Sequence, residues 1–285
     1  MAFEIRPQIR AALELIRLDL AFGAGFFVVA GECFAFGGLP PVREVLLGFV
    51  ALFFISGSAN VANDYFDREV DRVNLPTRPL PSGRISVRGL WLLFLVCSVA
   101  GLAAAAFLGP PVLLLAAVFW GIALLYNVKL KEYGIAGNLV VATCVSMTVL
   151  LGGIVAGSVN GLVLTFAALA FLFDLAAEIA SDAMDMEGDT LRSPDGLAKR
   201  YGRDRTLIIS GLILGVFAAL AFLPAVTGWL GTGYLVLAAL FGIWTIWCTV
   251  NLVMSRTSIA GRMQVRRLYL AWGLFVVVTT VSMIL

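Results

Sequence analysis

The 285-residue chain is 61% hydrophobic and 13% charged, with a formal net charge of +2 and a mean hydropathy of +0.98. Soluble domains are typically about 45–50% apolar and about 25% charged, so this composition excludes an ordinary soluble fold and indicates a membrane protein. The basic residues form no excess or arm, so no nucleic-acid partner is expected. Because the chain has no histidine, histidine-based triads and HExxH zinc sites are also excluded.

Apolar runs occupy most of the chain. A membrane-spanning helix needs roughly 20 mostly apolar residues. After a short surface lead-in over residues 1–10, we predict nine transmembrane helices, at 16–38, 42–63, 88–109, 111–127, 134–157, 161–181, 205–228, 231–254 and 266–285. The predicted fold is therefore an all-α, polytopic membrane protein. Since no room is left for a soluble domain, residues 1–285 are predicted to form one membrane domain, and the order of its motifs suggests a four-helix internal repeat.

The connections between these segments alternate in charge. Odd-numbered connections are short and nearly uncharged, whereas even-numbered ones are longer and carry most of the ionisable residues. Of the 20 lysines and arginines, all but Arg43 lie in the N-terminal segment, the even connections or the adjoining helix ends. The positive-inside rule therefore predicts a multi-pass protein of the cell membrane with the even connections on the cytoplasmic side.

Two acidic strings with the same spacing follow the second and sixth spans. The first comb is Asp64, Asp67 and Asp71, and the second comb is Asp182, Asp185 and Asp189. Both have aspartates at i, i+3 and i+7, a spacing that places all three carboxylates on one face of a helix. One comb alone would also fit a solvated helix end, but two matched combs on one predicted membrane face favour a shared function.

Carboxylates near hydrocarbon are costly, and neighbouring carboxylates repel one another. A bound divalent cation would remove both costs. Mg²⁺ takes oxygen ligands and commonly joins one or two carboxylates to substrate phosphate oxygens, so we predict a Mg²⁺ site that binds a polyphosphate. The expected metal ligands, which are also the expected catalytic residues apart from the asparagine, are Asn63, Asp64, Asp67, Asp71, Asp182, Asp185 and Asp189.

Other polar side chains accompany the combs. Arginine and lysine bind phosphate and stabilise a departing diphosphate, so we expect diphosphate contacts from Asn60, Arg72, Arg78, Lys129 and Lys131. Acids deep in a span are functional candidates by default. Two such acids, Asp174 and Glu178, precede the second comb at helical spacing. The candidates for binding the acceptor or taking its proton are these two acids and Arg17 of the first span.

The sequence resembles the UbiA superfamily of intramembrane prenyltransferases along nearly its whole length. The family's Asn-Asp-x-x-Asp-x-x-x-Asp motif is matched at Asn63–Asp71, and its second aspartate motif at Asp182, Asp185 and Asp189. The loop between its fourth and fifth helices is matched by Tyr126 and Lys129, which adds Tyr126 to the expected diphosphate contacts. The family often has Pro-Asn after the first-helix arginine, whereas Leu18-Asp19-Leu20 follow Arg17 here.

This resemblance implies nine helices around a central cavity with cytoplasmic aspartate-rich loops, a prenyl diphosphate donor, Mg²⁺ and contact with membrane lipids. The strings at 78–86, 126–127 and 185–189 are most similar to archaeal members that transfer a geranylgeranyl group to geranylgeranylglyceryl phosphate. An aromatic acceptor, such as 4-hydroxybenzoate or a quinone precursor, is the alternative. A secondary transporter is disfavoured because its ion sites usually lie near the bilayer midplane, and a lipid-binding scaffold has no need of two matched combs.

Overall fold

A computed structural model describes residues 7–185 and 196–285, and in these ranges all regular structure is helical. The α-helices are α1 Pro7–Ile16, α2 Leu18–Phe36, α3 Val42–Phe66, α4 Arg68–Asn74, α5 Val87–Leu108, α6 Pro110–Val128, α7 Ile135–Val155, α8 Gly161–Asp185, α9 Leu197–Tyr201, α10 Arg203–Leu220, α11 Leu223–Val226, α12 Thr232–Val253 and α13 Ser258–Ile284. A 3₁₀ helix covers Leu130–Tyr133.

Nine helices in this part of the chain are long and apolar enough to cross a membrane, namely α2, α3, α5, α6, α7, α8, the stretch Arg203–Val226, α12 and α13. They coincide with the nine predicted spans, which confirms the predicted all-α membrane fold. The ninth begins earlier than predicted, because Thr257 caps α13 and its arginines at 262, 266 and 267 lie inside the helix. Many large apolar side chains on these nine helices remain exposed, as expected for surfaces that face lipid.

The chain packs into two compact units, and the first combines the described part of Met1–Val29 with Pro40–Val128. In this unit α3 packs against α5, α6 and α1. The two helices α3 and α5 lie close together at Gly101, where a Cβ would lie 2.8 Å from the Ala51 carbonyl oxygen and 2.8 Å from Ile55 Cγ1. Glycine permits this contact because it has no side chain.

The second unit combines Ala30–Leu39 with Lys129–Leu285 and is organised around α8. Helix α8 packs against α7, α10 and α13, and 72% of its span is buried, against 22–44% for the other eight spans. The core beside α8 is aromatic. The ring centre of Trp272 in α13 lies 5.8 Å from that of Phe173, in a stacked arrangement, and 5.3 Å from that of Phe217, in an edge-on arrangement. Aromatic rings prefer both arrangements.

Two short helices differ from the predicted pattern. The expected surface lead-in is helical from Pro7, and α1 buries Ala11, Leu15 and Ile16 against the first unit. Arg17 separates α1 from α2 with a left-handed φ of 53°. Helix α4 continues from α3 after a break at Asp67 and carries the chain out of the apolar segment. As a result, α1 and α4 both bring polar side chains to the end of α3 that is predicted to face the cytoplasm.

Candidate active site

The first comb lies where α3 passes into α4. Asp67 ends one helix and begins the next, and its N–H donates to the Asn63 carbonyl at 2.9 Å. The Asp71 N–H donates to the Asp67 carbonyl at 2.8 Å, so helical hydrogen bonding continues through the break. All three carboxylate residues of this comb are buried. The first comb therefore spans the junction of two helices, with Asp64 in α3, Asp67 at the break and Asp71 in α4.

Two arginines hold this comb together. Arg78 Nη1 donates to Asp71 Oδ2 at 2.7 Å and lies 3.5 Å from Asp64 Oδ1, so one guanidinium joins two carboxylates that are about two helical turns apart. Arg17 Nη2 donates to Asp64 Oδ1 at 2.8 Å and to Asn63 Oδ1 at 3.1 Å. The charges of Asp64 and Asp71 are thus compensated by arginine.

Asparagines fix the comb from the apolar side. Asn63 Nδ2 donates to Asn127 Oδ1 at 2.9 Å, and Asn127 Nδ2 donates to the Ala59 carbonyl at 3.0 Å. Asn60 Nδ2 donates to the Ile16 carbonyl at 2.9 Å, at the end of α1. These bonds orient the Asn63 amide so that its oxygen faces Arg17. They also join α3 to α6 and to α1, which positions the arginine that follows α1.

An open cavity of about 740 Å³ lies beside Asp64 within the first unit. Four arginines and two carboxylate residues are among its lining residues, so its walls carry an excess of positive charge. The complete lining is Arg10, Glu14, Arg17, Asp64, Thr77, Arg78, Pro79, Ser82 and Arg84. Cationic walls next to buried carboxylates suit a ligand that carries several negative charges together with a divalent cation.

The outer wall of this cavity has its own ion pairs. Glu14 Oε2 accepts from Arg84 Nη2 at 2.7 Å, and Glu14 Oε1 lies 3.3 Å from Arg10 Nε. The hydrogen bond from Arg84 holds the pKa of Glu14 below its ordinary value of 4.5, and the same bond raises the pKa of Arg84. Both groups are therefore charged near neutral pH, and Glu14 is an oxyanion held between two guanidinium groups.

The second comb belongs to the second unit and begins in the last turn of α8. Asp182 Oδ2 accepts a hydrogen bond from Asn138 Nδ2 at 2.8 Å, which ties it to the first turn of α7. The Asp185 side chain and all of Asp189 lie outside the described residues. Of the expected second-comb ligands, the described structure therefore positions Asp182.

The two deeper acids of α8 differ in exposure. Asp174 is buried and hydrogen-bonded to Tyr269 of α13, whereas Glu178 is half-buried. The Oδ2 atom of Asp174 is buried, and within the described chain it has no hydrogen-bond partner. An unpaired carboxylate oxygen inside a membrane helix is costly, and such positions commonly serve a function. Asp174 therefore remains a candidate for contact with substrate.

No group of three or more acidic or cysteine side chains in the described ranges is arranged closely enough to form a ready-made metal site. In the first comb, the carboxylate oxygens of Asp64 and Asp71 are instead directed at Arg17 and Arg78. The oxygen-donor set itself, three carboxylates and an asparagine amide, is one that suits Mg²⁺.

The sequence profile of the UbiA prenyltransferase family matches residues 24–271, which is most of the chain. The chain belongs to this family. UbiA relatives named digeranylgeranylglyceryl phosphate synthase include proteins from Thermococcus kodakarensis, at 35% identity over 80% of this chain and 82% of the relative, and from Methanopyrus kandleri, at 38% identity over 80% and 83%.

Solved UbiA structures share the fold. A solved structure from a study of digeranylgeranylglyceryl phosphate synthase in membranes superimposes with a TM-score of 0.80. The identity is 27%, and the match covers 97% of this chain and 99% of that one. A UbiA homolog from Archaeoglobus fulgidus, bound to GPP and Mg²⁺, superimposes with a TM-score of 0.71 at 20% identity, covering 96% of this chain and 99% of that one. This second likeness supports the fold.

The other expected site residues of this UbiA chain occupy different surroundings. Arg72 is exposed and pairs with Glu69 at 2.8 Å, outside the lining of the cavity. Tyr126 is half-buried in the first unit, whereas Lys129 is exposed and Lys131 half-buried in the second. Their expected contacts with diphosphate remain predictions.

Several polar residues at the site were not among the predicted site residues. Asn127 binds Asn63, Asn138 binds Asp182, Tyr269 binds Asp174, and Arg10, Glu14 and Arg84 line the cavity. The two asparagines had one signal in the sequence, since each is an amide near the predicted cytoplasmic end of an apolar segment. Amides are expensive in lipid unless they are bonded, so their position indicates a polar partner.

Proposed function

We propose that the protein transfers a geranylgeranyl group from its diphosphate to the free hydroxyl of geranylgeranylglyceryl phosphate, which forms the second ether bond of archaeal membrane lipid. The observation that carries this proposal is the similarity, along about 80% of the chain, to relatives named digeranylgeranylglyceryl phosphate synthase. The arginine-lined cavity beside Asp64 supports it, because both proposed substrates carry phosphate.

We propose that both combs serve one donor diphosphate, since they have the same spacing and lie on the same predicted face of the membrane. The residues that would hold Mg²⁺ are Asn63, Asp64, Asp67, Asp71, Asp182, Asp185 and Asp189. When bound, Mg²⁺ would neutralise charge on the diphosphate and make it a better leaving group. The oxygen-only donor set supports this choice of cation.

The two arginines that bind the first comb, Arg17 and Arg78, have a direct role in this mechanism. As the bond between C1 of the donor and the diphosphate oxygen breaks, its electron pair leaves with the diphosphate. The guanidinium groups of Arg17 and Arg78, both facing the cavity, share this developing negative charge. Tyr126, Lys129 and Lys131 are proposed to contribute further contacts to the diphosphate.

Bond breaking leaves an allylic carbocation at C1, and the acceptor hydroxyl oxygen attacks that carbon to form the ether. Water would compete for the carbocation, so an apolar environment is required. The apolar residues Val61 and Ala62, which come just before Asn63 and the first comb on α3, are fully buried. The hydroxyl proton is proposed to pass to an acid of α8, and Asp174, whose Oδ2 has no partner in the described chain, is preferred to Glu178.

We also propose that the combs and the even-numbered connections face the cytoplasm. The support is the distribution of lysine and arginine, which places all but Arg43 on one side of a nine-span chain. Water-soluble Mg²⁺ would then reach the combs from the cytoplasm, while both prenyl chains remain in the membrane.

The decisive experiment measures transfer by the purified protein from labelled geranylgeranyl diphosphate to geranylgeranylglyceryl phosphate and, separately, to 4-hydroxybenzoate. We expect transfer to the lipid acceptor that requires Mg²⁺ and stops with EDTA. We expect Asp67→Ala and Asp182→Ala each to lower kcat/KM by about a hundredfold or more, the effect of removing one electrostatic contact to developing charge. Asp204→Ala, which removes an exposed carboxylate at the start of α10, is the matched control.

Turnover of 4-hydroxybenzoate without turnover of the lipid would show that the acceptor is aromatic and would refute the proposed lipid acceptor. Activity that survives EDTA, or near-native rates in both comb variants, would refute the mechanism with two combs and Mg²⁺.

A further inference from the structure

The cavity beside Asp64 has two chemically different parts. The inner part is formed by Asp64, Arg17 and Arg78, which belong to the first comb and its arginine contacts. The outer part is formed by Arg10, Glu14, Thr77, Ser82 and Arg84. The proposed donor chemistry accounts for the inner part, and it gives no role to the outer one.

We propose that the outer part of the cavity, around Arg84 and Arg10, binds the phosphate monoester of the acceptor lipid. This assignment rests on the proposed function, because it requires an acceptor that carries a phosphate. It names the group by which the enzyme recognises that acceptor, and it separates the acceptor site from the donor site.

The covalent structure of the acceptor requires two anion sites close together. Four bonds of about 1.5 Å separate the reacting hydroxyl oxygen from the acceptor phosphorus, so the two atoms lie within about 5 Å of each other. The hydroxyl must also reach C1 of the donor, which is itself joined to the diphosphate. The acceptor phosphate is therefore held near the diphosphate, and a single cavity lined by four arginines meets that requirement.

Repulsion between the two anions makes the outer arginines necessary. Two phosphate groups bound in one cavity repel each other, and positive charge on the cavity wall reduces that repulsion. Arg17 and Arg78 are already engaged with the carboxylates of the first comb. Arg10 and Arg84 carry two positive charges against the single carboxylate of Glu14, so the outer part of the same cavity keeps a net positive charge.

The contacts of Arg84 show that it is positioned and still able to bind. Its Nε donates to Ser82 Oγ at 3.1 Å, and its Nη2 donates to the Thr77 carbonyl at 2.6 Å and to Glu14 at 2.7 Å. Within the described chain these bonds use Nε and Nη2, and they leave the two N–H groups of Nη1 for a ligand. A guanidinium fixed in this way is suited to phosphate, because little side-chain freedom is lost on binding.

Glu14 marks where an oxyanion fits. Its carboxylate already lies between Arg10 and Arg84, at 3.3 Å and 2.7 Å respectively. A phosphate oxygen that approaches these guanidiniums would meet the same pair of donors. The Thr77 hydroxyl group is in the same wall and can donate to a further phosphate oxygen, whereas the Ser82 hydroxyl already donates to the Arg78 carbonyl at 2.6 Å and serves to hold Arg84.

The test compares geranylgeranylglyceryl phosphate with geranylgeranylglycerol, which has the same hydroxyl and no phosphate. For the wild type, Arg84→Gln, Arg84→Lys and Arg10→Gln, kcat/KM is measured with each acceptor, and KM is measured for the donor. We expect the preference for the phosphorylated acceptor to fall about ten- to one-hundredfold in the two glutamine variants, the size of a lost charged hydrogen bond. Arg84→Lys keeps the charge and should recover part of this preference.

The matched control is Arg88→Gln, which removes an exposed arginine near the start of α5 outside the cavity lining. It should leave the preference unchanged. If Arg84→Gln instead raises KM for the donor, or lowers turnover of both acceptors equally, the outer arginines serve the donor or the loop fold and the assignment is wrong. If the wild type transfers to neither lipid acceptor, the proposed function itself fails. Transfer by the wild type with an unchanged phosphate preference in the variants would refute the acceptor subsite alone.

Discussion

Arg17 combines an unfavourable backbone with an ion pair. Its φ of 53° lies in the left-handed region, which costs a residue with a Cβ about 1–2 kcal/mol. The same conformation turns the chain between α1 and α2 and directs the guanidinium to Asp64 and Asn63. The side-chain contacts therefore offset backbone strain at a residue of the site, as is common in functional sites.

The cost of the left-handed backbone at position 17 can be measured separately from the contribution of the guanidinium contacts. Arg17→Ala and Arg17→Gly both remove the guanidinium, but only glycine accepts the left-handed conformation freely. We expect the glycine variant to be more stable than the alanine variant by about 1 kcal/mol. Thermal unfolding of the two purified proteins in the same detergent gives the comparison.

The control is Arg262, which lies inside α13, where alanine favours the helix over glycine. There the order should reverse, with Arg262→Ala more stable than Arg262→Gly. An alanine variant at position 17 as stable as the glycine variant would mean that the left-handed conformation carries no strain.

Single residues of the site were predictable only where they formed a pattern. The first comb has a spacing that can be recognised without a structure, whereas the break at Asp67 and the pairing with Arg17 and Arg78 could not be predicted. Asn127 has no such spacing, and its bond to Asn63 depends on how α6 packs against α3. Glu14 and Arg84 are 70 positions apart and meet only because α1 folds onto the first unit.

Among the helices, α3 and α5 show how close packing depends on one residue. A Cβ at Gly101 would lie 2.8 Å from the Ala51 carbonyl oxygen and from Ile55 Cγ1, which is too close for any side chain. Small residues allow membrane helices to approach one another in this way. The α3 backbone at this contact leads directly to the first comb.

We expect Gly101→Ala to destabilise the protein by about 1–3 kcal/mol, because the added methyl group separates the two helices. Gly121→Ala is the matched control, since Gly121 lies in the membrane helix α6 with no neighbouring atom in the way. Thermal unfolding in one detergent measures both. Equal melting temperatures for the two variants would show that α5 can shift without cost.

The long helices were predictable from the sequence and the short ones were not. A span of about 20 apolar residues has no other stable arrangement in a bilayer, so length and composition suffice. Helix α1 has ten residues and a mixed surface, and it is stabilised mainly by packing of Leu15 and Ile16. Short helices depend on such tertiary contacts rather than on local preference.

For the whole molecule, the distribution of charge predicts how the chain crosses the membrane. Three spans, α5, α6 and α7, separate Asn74 from Ser158, so these two exposed residues should lie on opposite sides. The basic connections around Asn74 are predicted to be cytoplasmic. The orientation can be tested without reference to activity.

In a variant whose four cysteines, Cys33, Cys97, Cys144 and Cys248, are replaced, Asn74→Cys and Ser158→Cys each supply one exposed thiol. A membrane-impermeant maleimide added to intact cells should label Ser158→Cys and should label Asn74→Cys only after permeabilisation. The opposite result would invert the orientation. Labelling of both thiols from outside would contradict the three intervening spans.

The arginine contacts of the first comb also bear on how the protein is made. Arg17 and Arg78 come from the same chain, and they compensate Asp64 and Asp71 as soon as the first unit has folded. The acidic end of α3 can therefore be inserted into the bilayer before any ion or substrate is available. We therefore expect the first unit to fold equally well with and without Mg²⁺, whereas the proposed catalysis requires it.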